Sequence, residues 1–177
     1  MVLTDGFEEI EAVTLIDILR RAGLQVLVAG LEKREVTGSH GIRLTADLLL
    51  KEMKETPDAI VLPGGPGADS LGKSAEVKAI VQHLYSAGKT VAAICAAPAV
   101  VLAPAGILDG KKATCFPGME GAFGPKTTFS KERVVTDGNV ITSRGAGTAM
   151  EFSLELVRKL VGAAKANEVA EKILAGA

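Results

Sequence analysis

Cys95 and Glu11 are the side chains of this sequence best suited by type and setting to covalent chemistry. Cys95 closes the apolar run VAAI and precedes Ala96, Ala97 and Pro98, so it falls where a strand turns sharply into a helix, the setting of a nucleophile elbow. Free N–H groups at a helix start favour negative charge, and such a setting lowers a cysteine pKa from about 8.5 into a range of roughly 3.5 to 7.5. The expectation is a thiolate at neutral pH, against the plainer reading of a small buried apolar cysteine. Cys115, inside the run ATCF with no capping turn or cation beside it in sequence, keeps that plainer reading.

Glu11 is singled out by helical periodicity. At about 100° per residue, Leu15, Ile18, Leu19 and Ala22 share one face, Glu8 and Glu11 fall on it, and Asp17, Arg20 and Arg21 lie opposite. A carboxyl directed at a core must be capped, paired or protonated, and desolvation raises its pKa towards neutrality. Glu8 has a capping role available, whereas Glu11 has none unless it turns outward at the helix edge. Ile10 and Val13 lie on the otherwise polar face, a hint of an oligomer contact, although single exposed apolar residues are common.

In a parallel sheet every strand-to-helix loop leaves from one edge, where ligands collect at the switch point in strand order. That edge receives Asp5 to Glu11 after the first strand, Pro63 to Asp69 after the third and Cys95 to Pro98 after the fourth. Gly64-Gly65 reads as a turn, yet a glycine pair there also lets backbone N–H groups approach a substrate oxygen, and with the Ala96 N–H it could form an oxyanion hole. His83 lies among polar neighbours in a helix and reads as solvated. Zinc-ligand spacing is absent, no GxGxxG or Walker sequence follows a strand, and Ala96 stands where a Cys-His dyad would need histidine. Neither metal nor cofactor is expected.

The elements that must position these groups alternate. Strand-type runs recur at Val2 to Thr4, Gln25 to Ala29, Ala59 to Leu62, Val91 to Ile94, Ala113 to Phe116, and the pair Val134 to Thr136 and Val140 to Thr142 around the Asp137-Gly138 turn. Val36 to Thr45 reads as a second small hairpin. Helical patterns run from an Asp5 cap to Gly23, from a Ser74 cap to Gly88, from near Pro98, from a capping box at Thr148 to Glu151, and over Asn167 to Leu174. Near-continuous strands such as AIVLP and VAAI suit a parallel sheet covered on both faces, so the expectation is a flavodoxin-like three-layer α/β/α sandwich with a mostly parallel sheet. Strand order stays open.

The 177 residues suffice for one domain with a full core, and no linker-like stretch divides residues 1–177. Net charge is −1, there is no Trp and one Tyr, and no basic run appears, which leaves nucleic-acid binding without its residues. The apolar stretch Val91 to Leu108 is interrupted by Pro98, Pro104 and Gly106, a poor membrane span. With no export signal and only two cysteines, a soluble protein of the reducing cytoplasm is expected. Aromatics at 3% imply a small pocket of backbone and short side chains.

The segments DGFEEIEAV, DAIVLPGGPGA, VAAICAAPAVL and ITSRGAGTAMEF closely resemble, in this order and spacing and over nearly the whole chain, the ThiJ/PfpI superfamily on the branch of the parkinsonism-associated protein deglycase. That resemblance implies a homodimer, a reactive cysteine at Cys95 hydrogen-bonded to a protonated Glu11, and oxyanion-binding N–H groups at Gly65 and Ala96. It also implies glyoxalase activity on methylglyoxal, a disputed deglycase activity on early glycation adducts, oxidative-stress protection and chaperone behaviour. Phe116 stands where some members carry histidine, Ala96 separates the chain from the protease and chaperone branches, and Ala146 replaces a usual proline in the loop that carries Arg144. His40 and Gly41 fall in a loop that in relatives reaches the partner subunit's site. Members usually carry a few more residues before the first strand, so a start upstream of Met1 or a trimmed chain is expected.

Two functions follow as expectations. In the first, Cys95 attacks the aldehyde of a small 2-oxoaldehyde, the hemithioacetal oxyanion rests on the Gly65 and Ala96 amides, and Glu11 shuttles protons to give a 2-hydroxy acid. In the second, the chain is a redox sensor or stress chaperone in which Cys95 is oxidised to a sulfinate held by Glu11 and the helix start. A flavin or nucleotide binder is the bland third reading.

Overall fold

The computed structural model describes residues 1–175. Its strands are β1 (Val2–Leu3), β2 (Ala29–Gly30), β3 (Glu35–Thr37), β4 (Arg43–Thr45), β5 (Leu48–Leu49), β6 (Ala59–Leu62), β7 (Thr90–Ile94), β8 (Lys112–Ala113), β9 (Thr128–Phe129), β10 (Val134–Asp137) and β11 (Val140–Ser143). The α-helices are α1 (Glu9–Arg21), α2 (Ala68–Lys73), α3 (Ala75–Ser86), α4 (Ala149–Leu160) and α5 (Ala163–Lys172).

Alternation along the central strands builds the layers. In β6 and β7, Ile60, Leu62, Val91 and Ala93 point to one face, where they pack with Leu71, Val77, Val81 and Leu84 of α2 and α3. Their neighbours Val61, Ala92 and Ile94 point to the other face, against Leu15, Ile18 and Leu19 of α1 and Phe152 and Leu156 of α4. Each Val, Leu or Ile fully buried this way contributes roughly 1.5–3 kcal/mol. The expected flavodoxin-like three-layer sandwich is the fold.

β6, β7 and β11 pair in parallel, and β10 closes the edge antiparallel through the Asp137-Gly138 hairpin. β1, β2 and β5 form a parallel trio in which β2 is central, and β1 lies against β6. From β1 the chain proceeds outward to β2, whereas from β6 it proceeds to β7 on the other side. The β1–β6 boundary is therefore the switch point in strand order, the expected place for a ligand.

Several local expectations are corrected. Asp5 does not cap α1: its carboxylate accepts the Thr37 N–H at 2.9 Å and pairs with Lys33. Glu8 takes the cap position of α1 with no side-chain capping bond. Thr148 and Glu151 form no capping box, because the Thr148 hydroxyl bonds Gly145 and Glu151 pairs with Arg133. The run Gln25 to Ala29 is extended into a strand only from Ala29, since the Val28 N–H is taken by the Asp47 carboxylate. Ala113 to Phe116 yields a strand only at Lys112–Ala113, after which the chain turns so that the Phe116 N–H donates to the Cys95 carbonyl. The helix near Pro98 is a wide turn over Pro98–Leu102, closed by Ala103 N–H to Pro98 carbonyl, five residues back. The last helix begins at Ala163 rather than Asn167. Ser74 does cap α3, accepting the Val77 N–H at 3.2 Å, and the small hairpin forms as β3 and β4.

Candidate active site

Cys95 follows the fully buried β7 and adopts φ of 64°, a left-handed conformation that costs a non-glycine residue about 1–2 kcal/mol. Its N–H donates to the Ser143 carbonyl at 2.9 Å and its carbonyl accepts the Phe116 N–H at 2.8 Å, so neighbouring chain on both sides holds the strained turn. The elbow expected from VAAICAAP is present.

Glu11 is fully buried on α1, as its place on the helical wheel anticipates. One carboxylate oxygen, Oε2, accepts the Gly64 N–H at 2.6 Å, and the other has no oxygen or nitrogen partner. Burial pushes the Glu11 carboxyl up to about 7, against the pull of the Gly64 amide and of Cys95. Gly64 must be glycine here: a Cβ on it would lie 2.5 Å from the Cys95 Cβ and 2.9 Å from its Sγ. Gly65 adopts φ of +83°, and its N–H and that of Ala96 both stabilise charge on the Cys95 sulfur.

The expectation of a lowered thiol pKa is overturned. Burial first, and then the negative charge of Glu11, push the Cys95 thiol up to about 12, and the two amides only partly offset this. A five-residue wide turn supplies little dipole, while desolvation acts over the whole thiolate. Cys115 is buried and burial pushes its thiol up to about 11, in keeping with the plain reading.

A pocket of about 380 Å³ opens over these groups, lined by Glu8, Glu11, Gly65, Pro66, Asp69, Cys95, Ala96, Phe116, Met119 and Ala146. A larger depression of about 550 Å³ around Arg133, Thr136 and Glu155 has no cysteine in its lining. Gly64 lies behind the thiol rather than on the pocket wall. Arg144 is outside the lining too; its guanidinium donates to the Lys131 carbonyl at 3.3 Å. Phe116 is about half exposed at the rim.

His40 stands beside the mouth rather than in it, and what holds it is a residue the sequence reading passed over. Glu9 is buried, and its carboxylate accepts the His40 N–H at 2.6 Å, the His40 ring at 2.9 Å and the Ser39 hydroxyl at 3.1 Å. Desolvation alone would raise the Glu9 carboxyl, but the His40 and Ser39 bonds outweigh it and hold it at about 2. The same contact raises His40. The signal available in sequence was the third acid of DGFEEIEAV, whose cover comes from the β3–β4 hairpin, more than 25 residues on. Glu8, Glu9 and His40 bring ligand-type atoms within 4.8 Å of one another, the group among the described residues that could approach a metal ion. No helix among those residues is long and apolar enough to cross a membrane.

Known proteins share this fold. The profile of the DJ-1/PfpI family matches residues 1–159. The chain belongs to this family. Among curated DJ-1/PfpI relatives, Protein DJ-1 homolog B of Arabidopsis thaliana is 44% identical over 167 residues, which is 93% of this chain and 38% of that protein. The chain spans less than half the length of that plant relative. Glutathione-independent glyoxalase DJR-1.2 of Caenorhabditis elegans is 38% identical over 168 residues, covering 92% of this chain and 87% of its own. The crystal structure of Drosophila melanogaster DJ-1beta superposes with a TM-score of 0.95 at 39% identity, covering 99% of this chain and 96% of that one.

Proposed function

We propose that this chain, as a single domain over residues 1–177, is a cysteine-dependent glyoxalase-type enzyme that converts methylglyoxal or glyoxal to the 2-hydroxy acid without a cofactor. The observation that carries the reading is the packing of the Cys95 thiol against a buried carboxyl with a pKa near 7, beside two converging amides. The glyoxalase named in Caenorhabditis elegans supports it.

The two acids share a pocket in which simultaneous ionisation is unfavourable, so they titrate as a pair. When the proton resides on Glu11, the repulsion that adds to burial in raising Cys95 is replaced by a hydrogen bond, and the thiolate can attack the aldehyde carbon. The carbonyl oxygen becomes an oxyanion held by the Gly65 and Ala96 N–H groups and then takes a proton. Glu11, now a carboxylate, removes the proton from the former aldehyde carbon and returns it to the adjacent carbon while the hydroxyl proton passes to the oxygen on that adjacent carbon, leaving a 2-hydroxy thioester. Water cleaves that ester, releasing the 2-hydroxy acid and the thiol. Phe116 at the rim offers no proton, and of the carboxyls lining the pocket Glu11 is the one hydrogen-bonded to Cys95, which makes it the shuttle. Deglycation of early adducts would use the same hemithioacetal.

A homodimer is part of the proposal, with the exposed Ile10 and Val13 of α1 in the contact. Cytoplasmic location, and the absence of nucleic-acid or membrane partners, are proposed with it on the two free cysteines and the unbiased charge. The alternative, an oxidative-stress sensor or chaperone that works by oxidation of Cys95, draws on the same two amides as a sulfinate cradle.

The test is loss of methylglyoxal and appearance of lactate without glutathione, comparing the native chain with Cys95→Ser. Turnover in the native chain alone is expected. Equal turnover in both would end the proposal.

A further inference from the structure

Two glycine backbones border the Cys95 thiol, and a buried side chain holds each of them. β7 is flanked by β6 and β11, so the chain leaving either neighbour runs beside the elbow. After β6, a Cβ on Gly64 would lie 2.9 Å from Sγ, and Gly64 is held by Glu11. After β11, a Cβ on Gly145 would lie 4.0 Å from Sγ and 3.4 Å from the Phe116 ring. Gly145 therefore borders both the nucleophile and the aromatic rim, and Ala146 after it lines the pocket.

What holds Gly145 is a hydroxyl that the glyoxalase steps leave unused. Gly145 donates its N–H to Thr148 Oγ1 at 3.1 Å, and its carbonyl accepts the Thr148 N–H at 2.8 Å and lies 2.8 Å from the Thr148 hydroxyl. Thr148 Oγ1 is in turn 2.6 Å from Ser143 Oγ, which lies 2.8 Å from the Arg133 carbonyl. Each hydroxyl has one proton to give, and either direction of the Ser143–Thr148 bond satisfies the chain. Ser143 donates to Thr148 and Thr148 to Gly145, or Thr148 donates to Ser143 and Ser143 to Arg133. In both cases Thr148 Oγ1 accepts the Gly145 N–H. Ser143 thus holds the elbow through its carbonyl, which accepts the Cys95 N–H, and the loop through its hydroxyl. Both residues are buried inside one chain, so these bonds do not depend on a second.

Residues 145–147 read Gly-Ala-Gly, with no bulky side chain to wedge them in place and much backbone freedom to lose. From outside, Arg133 donates to the Gly147 carbonyl at 2.7 Å, but its side chain is 57% exposed, and water competes for such contacts. A buried amide that loses its acceptor is the larger penalty. We propose that Thr148 is a positioning residue for Cys95: its hydroxyl, braced by Ser143, fixes the Gly145–Ala146 wall that keeps water from the sulfur and seats a bound carbonyl compound against it. The effect on turnover rests on the glyoxalase reading; the effect on the thiol does not. Burial is the largest cause of the raised Cys95 thiol, so a wall that loosens admits water and makes the thiol easier to ionise.

The test compares, in the full-length chain, Thr148→Val, which keeps the shape and removes the hydroxyl, with Thr148→Ser, which keeps the hydroxyl. Iodoacetamide alkylation of Cys95 and Cys115 is followed across pH by peptide mass spectrometry, with the fully buried Cys115 reporting any unfolding. Thr148→Val should alkylate at Cys95 about tenfold faster, with its profile moved to lower pH, while Cys115 stays as slow as in the native chain. Its kcat for methylglyoxal should fall about tenfold, with KM changed less. Thr148→Ser should bring both rates back to within about threefold of native, and Arg133→Ala should leave them unchanged. Should Thr148→Val not fold, Ser143→Ala removes the brace alone and should raise Cys95 alkylation about threefold. Native alkylation in folded Thr148→Val, or in Ser143→Ala where that variant stands in, would overturn the proposal. So would equal acceleration at Cys95 and Cys115, or Thr148→Ser behaving as Thr148→Val does. The alkylation pattern in a chain that converts no methylglyoxal would remove the glyoxalase reading and leave the positioning role standing.

Discussion

The Gly64 N–H donates to Glu11 Oε2 at 2.6 Å across two elements 53 residues apart, and the other oxygen of the same buried carboxyl has no oxygen or nitrogen partner. One bonded and one unbonded oxygen is an arrangement that favours a protonated acid, because the ionised form would leave charge without donors in a dry site.

That relationship sets a pH dependence. Glu11 is raised from 4.5 to about 7, so between those values the folded chain keeps a proton that the unfolded chain has released. Stability then falls as pH rises, by about 3 kcal/mol from this group once pH passes 7. Glu11→Gln has no proton to lose, and its stability should fall less between pH 4.5 and pH 8 than that of the native chain. Urea denaturation at the two pH values measures the difference; parallel curves for both proteins would contradict it.

Gly64→Ala should destabilise the fold by about 2–3 kcal/mol, since the new Cβ would meet the Cys95 side chain and, at 3.0 Å, Glu11 Oε2. The same substitution should slow alkylation of Cys95, because relief can come only by moving the thiol or the carboxyl. Denaturation midpoint and iodoacetamide rate are the readouts, and an unchanged midpoint would mean the elbow yields freely.

Cys95→Gly should be more stable than Cys95→Ala by about 1 kcal/mol. Alanine inherits the φ of 64° with a Cβ, whereas glycine adopts it without strain. Thermal unfolding of the two variants decides it, and the reverse order would show that the turn carries no strain.

His40 should titrate above its usual 6.5 in the native chain, with the bond to Glu9 as the leading cause. In Glu9→Gln it should return towards that value. The β3–β4 turn should also open in that variant, since Glu9 accepts the His40 amide, the His40 ring and the Ser39 hydroxyl. NMR titration of the ring and hydrogen exchange over residues 38–42 report both. A native His40 with an ordinary titration would remove the contact.

Local pattern was enough for much of this. The wheel of α1 puts Leu15, Ile18 and Leu19 in the core with Glu11 among them, and VAAI followed by Ala96, Ala97 and Pro98 announces the elbow at Cys95. Alternation in β6 and β7 announces a sheet covered on both faces. These are properties of consecutive residues, and hydrophobic periodicity reports them directly.

Only the tertiary structure decided the partners. Asp5 resembles a helix cap in sequence, yet the Thr37 N–H, 32 residues away, takes its carboxylate. Glu9 lies outside the apolar stripe of its helix, yet the β3–β4 hairpin closes over it. Strand order, which puts β1 beside β6 and so brings Glu11, Gly64 and Cys95 together, depends on how elements dock rather than on any one of them. The thiol illustrates the division most clearly. Its position was legible in the run VAAICAAP, while the direction of its pKa depends on desolvation and charge from α1, β6 and β7 at once.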